Sequence, residues 1–234
     1  MNYFFRGTHR ATGISRSRQK WEERWGSSSR AACLERIFQQ HTSPDGVFGF
    51  VVMWPYFDHV VQMLQEIPTY SNLNGPQLFA AVFNQPKYIW MRRRNRVQQA
   101  VSWAIAEQTR VWIQKMGEKP RPGARPRFDF DVIHHLYNLI VASEAGWANY
   151  FRENHIEPLV LFYEDVVASN RDAARHVLEF LGVPFPPAFE IAPPTVQKQA
   201  TQLSEEWTAA YLKLKENKIA METQLFTLKF GSVE

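Results

Sequence analysis

A three-layer α/β fold, with a parallel sheet flanked by helices, is what this chain predicts, and three observations predict it. Residues 88–91, Tyr-Ile-Trp-Met, are β-branched, aromatic and apolar with no polar interruption, as in a strand buried on both faces of a parallel sheet. Residues 159–163 form a second such run, and residues 47–54 a third. Stretches of helical period stand between these runs, and strands alternating with helices build parallel sheets through crossover connections.

Taken in order, the chain opens with a basic, polar, irregular segment over residues 1–29. A helix is expected over Arg30–His41, then a turn at Thr42-Ser43-Pro44-Asp45-Gly46 leading into 47–54, a candidate central strand. Phe57–Gln65 has helical period, and residues 73–83 hold another helix or an irregular segment. After the strand at 88–91, Asn95 is a good cap for a long helix over 95–115. Its apolar stripe is Val97, Val101, Ala104 and Gln108, widened by Ala100, Ile105 and Trp112. Gly117 ends it, and the Pro/Arg-rich segment 117–128 is long enough to be expected as a mobile loop, either a gate over substrate or a solvated segment. Phe130–Glu153 reads as a long amphipathic helix ahead of the strand at 159–163. Ser169 followed by Asp172 resembles a capping box, opening a helix that stops at Gly182 with Pro184 just beyond. One domain, residues 1–234, accommodates all of this.

Composition narrows the function. The formal net charge is only +4, but the positive residues cluster at 6–36, 92–96 and 115–127, which favours an acidic ligand over a neutral one. Cys33 is the only cysteine, so no intramolecular disulfide and no Cys-based zinc site can form. His134 and His135 diverge as neighbours on a helix and the other histidines are scattered, so no metal is expected. No apolar run approaches the ~20 residues needed to span a bilayer. The N-terminus also lacks the order of a signal peptide, and the default expectation is a cytoplasmic protein with no membrane span.

Chemistry concentrates at Arg92-Arg93-Arg94-Asn95-Arg96, between the apolar run and the helix. Ligands of open α/β sheets bind outside the carboxyl ends of the strands, where these arginines fall. Asn95, Gln98 and Ser102 share one helical face, and helical side chains lean toward the N-terminus, so the Ser102 hydroxyl points back toward the strand end. Free backbone N–H groups and the helix dipole favour an anion there, and arginine adds a fork of donors suited to phosphate. The plainer alternative is a solvated turn whose arginines pair with carboxylates; position favours the anion site.

The string from Met91 to Trp112 contains Arg94-Asn95-Arg96-Val97, Gln99-Ala100-Val101-Ser102-Trp103 and Gln108-Thr109-Arg110-Val111-Trp112, and it closely resembles the Stf0 group of bacterial sulfotransferases. Arg10-Ala11-Thr12-Gly13, Gly46-Val47-Phe48-Gly49 with Met53-Trp54, Glu144 with Trp147, Phe162-Tyr163-Glu164-Asp165, and Gln199-Ala200 with Ser204 and Trp207 match further segments in order. The resemblance implies a fold like the P-loop NTPases and transfer of a sulfuryl group from 3′-phosphoadenosine 5′-phosphosulfate (PAPS) to a hydroxyl of a carbohydrate or glycolipid, by in-line displacement without a metal. It also implies that Arg93 or Arg94, with Ser102, binds the donor's 3′-phosphate, and that Lys198 stands near the same phosphate or is a solvated loop lysine. Trp54 would line an acceptor pocket, since sugars stack on aromatic faces.

Against that family pattern, alignment on Arg10-Ala11-Thr12-Gly13 puts Met1 within or just after the loop that cradles the donor's 5′-phosphosulfate. The first strand and nearly all of that loop are then expected upstream, the chain being truncated, mis-started or descended from an enzyme that lost half of the donor site. Lys20 falls where the resemblance implies a glutamate general base; Glu22 and Glu23 lie within a short shift and are the candidates. Val51 stands where a lysine is usual. Two alternatives stay open: a non-catalytic relative that binds only the nucleotide, and a basic nucleic-acid-binding protein. The last is disfavoured because the arginines converge on one place, so no nucleic-acid partner is expected, and a homodimer is left open.

Overall fold

The computed structural model describes residues 29–44, 46–112, 125–184 and 202–230. The chain divides into two compact units, residues 1–87 and 88–234, each described by itself.

In the first unit Ser29 caps helix α1 (Arg30–His41), its hydroxyl accepting from the Ala32 N–H, and Arg30 donates to Glu66 at 2.8 Å. Helices α2 (Phe57–Gln65) and α3 (Gly75–Phe83) follow, as their apolar spacing predicts. The run 47–54 departs from expectation. It is extended but pairs with no strand among the described residues, and a 3-10 turn begins at Trp54. Val47, Val51 and Met53 are exposed, while Phe48 and Phe50 stack on Phe83 with centroids 6.2 and 4.5 Å apart. The period-2 alternation is that of a strand, but what it covers is the aromatic face of helices: edge-to-face and offset ring contacts replace a ladder.

In the second unit β1 (Ile89–Arg92) runs parallel to β2 (Leu159–Phe162), Ile89 opposite Leu159 and Arg92 opposite Phe162. Among the described residues the sheet has these two strands, so the structure shows a small parallel sheet within a largely helical chain. Helices α4 (Arg96–Thr109) and α5 (Phe130–Glu153) form the crossover, and α6 (Tyr163–Ala168), α7 (Asn170–Leu181) and α8 (Gln202–Phe230) follow β2. Tyr163, expected to finish the strand, instead starts α6.

β1 is not buried on both faces. Ile89 and Met91 are exposed, whereas Trp90 lies under Phe151 of α5 at 5.5 Å, so α5 covers only the face carrying Trp90 and Arg92. Helix α4 stops at Thr109, six residues before the expected end. The Thr109 hydroxyl donates to the Ile105 carbonyl and accepts from the Val111 N–H, offering the backbone a competing partner, and Arg110 turns left-handed at φ 58°. Trp112 therefore falls outside the stripe and is exposed. The segment expected as a mobile loop lies largely outside the described residues.

The core of this unit is the seam of three helices: Ala100, Val101 and Ala104 of α4, Ile133, Leu136 and Ile140 of α5, Trp207 and Tyr211 of α8. Two alanines on α4 let the helix backbones approach closely, which anchors the N-terminus of α4 against α5. The Tyr211 hydroxyl bonds His134 Nδ1 at 2.8 Å, so this histidine is a packed structural residue. Ser169 caps α7 and Gly182, φ 74°, ends it, as expected. No helix among the described residues is long and apolar enough to cross a membrane.

Candidate anion-binding site

The site is the loop where β1 becomes α4. Asn95 caps α4, its side-chain oxygen accepting from the Gln98 N–H at 2.9 Å. Because β1 and β2 are in parallel register, the chain leaving Phe162 passes directly beside the chain leaving Arg92.

The four arginines separate into two groups. Arg92 and Arg96 turn toward α5 and share one carboxylate oxygen of Glu144, at 3.0 and 2.8 Å. The Glu144 side chain is 15% exposed, and the Arg92 guanidinium lies 4.5 Å from the Trp90 ring centroid. Arg93 and Arg94 turn toward the start of α6. Arg93 stacks over the Tyr163 ring at 3.9 Å and has no carboxylate partner among the described residues. Arg94 stacks on Phe162 at 4.3 Å and donates from both terminal nitrogens to Asp165, each at 2.7 Å. The sequence cluster thus faces three carboxylates, Glu144, Glu164 and Asp165, and keeps one net positive charge at the loop.

Two of the backbone donors expected to be free, those of Arg94 and Asn95, are occupied. Both Glu164 oxygens accept from the Arg94 N–H, at 3.1 and 3.2 Å, and one also accepts from the Asn95 N–H at 3.4 Å. A carboxylate of the chain itself thus sits where the dipole favours an anion, so an incoming phosphate meets side chains before backbone. Burial raises the Glu164 pKa, but the N–H groups of Glu164, Arg94 and Asn95 outweigh it and hold the carboxyl below its ordinary value. The Arg94 hydrogen bonds likewise lower the Asp165 carboxyl.

These shifts carry a pH dependence. A carboxyl with a folded pKa below its unfolded one contributes stability that is present above the unfolded value and lost as pH falls through the folded value. Thermal melts are expected to drop between about pH 5 and pH 3, around the unfolded carboxylate range. The drop should be shallower in the Glu164→Gln, Asp165→Asn double variant; an unchanged slope would exclude these two groups as its source.

Ser102 lies half-buried on α4, and its hydroxyl bonds no group among the described residues. An open depression of 440 Å³ at the head of α4 is lined by Arg94, Asn95, Arg96, Val97 and Tyr137, without Arg93 or Ser102. The structure brings Arg93 and Arg94 together at one loop; Ser102 is two turns along the helix. Trp54 belongs to the other unit, half-buried and stacked on Phe57 at 5.3 Å. Glu22, Glu23 and Lys198 lie outside the described residues, as does the Arg10–Gly13 block.

Glu144 and Asp165 had no role in the sequence reading. Their signal was present: a lone acid inside the apolar stretch 139–147 needs a cation, and four arginines within five residues draw carboxylates from neighbouring elements.

Comparison with known proteins bears on the same residues. The profile of the Stf0 sulphotransferase family matches residues 8–213. A trehalose 2-sulfotransferase of Mycolicibacterium smegmatis (strain ATCC 700084 / mc(2)155) is 33% identical over 174 residues, covering 72% of this chain and 62% of that protein. A trehalose 2-sulfotransferase of Mycobacterium tuberculosis (strain ATCC 35801 / TMC 107 / Erdman) is 28% identical over 185 residues, covering 77% of this chain and 66% of that protein. The chain spans just under two thirds of the length of these curated relatives.

Proposed function

The chain belongs to the Stf0 sulphotransferase family, and from that premise we propose that it moves a sulfuryl group from PAPS to a hydroxyl of a carbohydrate or glycolipid. The observation that carries this reading is the Arg93–Arg94 loop at the carboxyl end of β1, where one guanidinium lacks a carboxylate partner among the described residues and the cluster keeps a net positive charge. The names of the two relatives support a sugar acceptor. The finer architecture, a three-layer sheet related to the P-loop NTPases, belongs to the same proposal.

Each residue then has a task. Arg93 presents its planar fork to a phosphate dianion, held flat by the Tyr163 ring. Arg94 contributes the donors that Asp165 leaves over, and Ser102 offers a hydroxyl that bonds no other group among the described residues. Lys198 adds a second positive charge. Glu22 or Glu23 takes the proton from the acceptor hydroxyl, and Trp54 gives the sugar an apolar face. The bound donor supplies the sulfur centre and, as leaving group, its 5′-phosphate; the cations named here hold the 3′-phosphate and so fix the donor's position for the displacement.

Calorimetric titration with adenosine 3′,5′-bisphosphate tests the reading. Binding is expected in the wild-type chain and should weaken about tenfold to a hundredfold when Arg93 or Arg94 becomes alanine, the range of a charge-assisted hydrogen bond. Ser102→Ala should cost about tenfold or less, the range of a neutral hydrogen bond. Labelled-sulfate transfer to a panel of sugars separates an active enzyme from a relative that only binds nucleotide. Absence of any nucleotide binding would sink both.

A further inference from the structure

Four consecutive residues on one side of the site, Phe162 to Asp165, engage four consecutive residues on the other, Arg92 to Asn95. Phe162 pairs with Arg92 in the β-ladder. Tyr163 lies under the Arg93 guanidinium at 3.9 Å. Glu164 accepts from the backbone N–H groups of Arg94 and Asn95. Asp165 takes the Arg94 guanidinium end-on through two 2.7 Å bonds. This engagement carries the parallel alignment of the two chains beyond the last ladder pair, where α6 has already begun and backbone pairing has stopped. Side chains take over from the ladder.

Within this run Glu164 has a distinct position. Tyr163 and Asp165 touch arginine side chains, which are long and rotate. Of the three residues beyond the ladder, Glu164 is the one that holds backbone, and it holds the two N–H groups immediately ahead of the first turn of α4. Fixing those amides fixes the φ and ψ of the loop, and with them the directions in which the Arg93 and Arg94 side chains leave it. We propose that Glu164 is a positioning residue for phosphate capture: it occupies the Arg94 and Asn95 amides so that a phosphate is read by side chains, those of Arg93 and Arg94 foremost. The proposal rests on the nucleotide-binding reading given above and assigns Glu164 no contact with the ligand.

Two consequences follow from that geometry. First, a phosphate at this loop finds the Arg94 and Asn95 amides already taken, so side-chain truncation at Arg93 and Arg94 together should remove most of the affinity for the 3′-phosphate, unlike a P-loop, in which backbone N–H groups hold the anion. Second, Glu164→Ala should free the amides and let the loop relax. Discrimination between a nucleotide with a 3′-phosphate and one without should then fall, while contacts elsewhere to the nucleoside persist.

The test titrates the full chain with adenosine 3′,5′-bisphosphate and with adenosine 5′-phosphate, in wild type, Glu164→Ala and Glu164→Gln, and follows amide exchange at Arg94 and Asn95. The expected result is that Glu164→Ala loses about tenfold of the preference for the bisphosphate, the size of one charged hydrogen-bond set. Adenosine 5′-phosphate affinity should hold, and the two amides should exchange faster. Glutamine keeps one acceptor oxygen in place and should restore most of the preference; because it preserves shape, it also covers the case in which alanine fails to fold. Equal weakening toward both nucleotides would assign Glu164 a merely structural role and overturn the proposal. Unchanged preference in Glu164→Ala would overturn it while leaving the sulfotransferase reading intact, and a wild-type chain with no preference would overturn both.

Discussion

Replacing Glu144 with alanine is expected to destabilise the 88–234 unit by about 3 kcal/mol, at the low end for removing one partner of a buried ion pair. The low end applies because Arg96 is 40% exposed and can rehydrate, and Arg92, 25% exposed, can do so only in part. Arg92 is packed against the rings of Trp90 and Phe162, and its Nε is already buried with no hydrogen-bond partner among the described residues. Without Glu144 it would be an uncompensated charge. Glu144→Gln should cost about 1 kcal/mol, because one acceptor remains. Urea unfolding of both variants checks this. An alanine variant as stable as wild type would mean that the carboxylate contributes nothing to the fold. Nucleotide affinity should fall along with stability, since Arg92 and Arg96 flank the Arg93–Arg94 loop and Glu144 ties both to α5.

The second large effect is at Tyr211, which is fully buried in the seam of α4, α5 and α8 and stacks on Phe130 with centroids 5.0 Å apart. Tyr211→Ala is expected to cost about 4 kcal/mol, the cost of an aromatic-to-alanine cavity. Tyr211→Phe keeps the ring and removes only the bond to His134 Nδ1, at about 1 kcal/mol. Comparing the two by thermal or urea unfolding separates packing from the hydrogen bond. Equal losses would show that the polar contact dominates and that the seam collapses around the missing ring. Because α4 carries the anion loop at its N-terminus, a loosened seam should also raise the dissociation constant for adenosine 3′,5′-bisphosphate.

Helices were legible wherever a stripe of period 3.6 was bounded by a local signal. Asn95, Ser169 and Gly182 act within a few residues of themselves, so their caps form as expected. The end of α4 was not legible, because the Thr109 hydroxyl that diverts the backbone competes with a helix that apolar spacing would have continued. The run 47–54 carries strand-like alternation, yet nothing local distinguishes a face that covers a sheet from one that covers the rings of Phe38, Phe79 and Phe83.

The sequence by itself determined the arginine cluster, its place between a strand and a capped helix, and the family to which the chain belongs, because those depend on residue type and spacing along one stretch of chain. Only the tertiary structure decided what the arginines do. Parallel pairing of β1 and β2 brings residues about seventy positions apart into register. That pairing gives Arg94 to Asp165 and its backbone to Glu164, while the packing of α5 gives Arg92 and Arg96 to Glu144. Arg93 is left over on the Tyr163 ring. Charge pairing is a property of distance in space, and a list of residues does not contain it until the chain has folded.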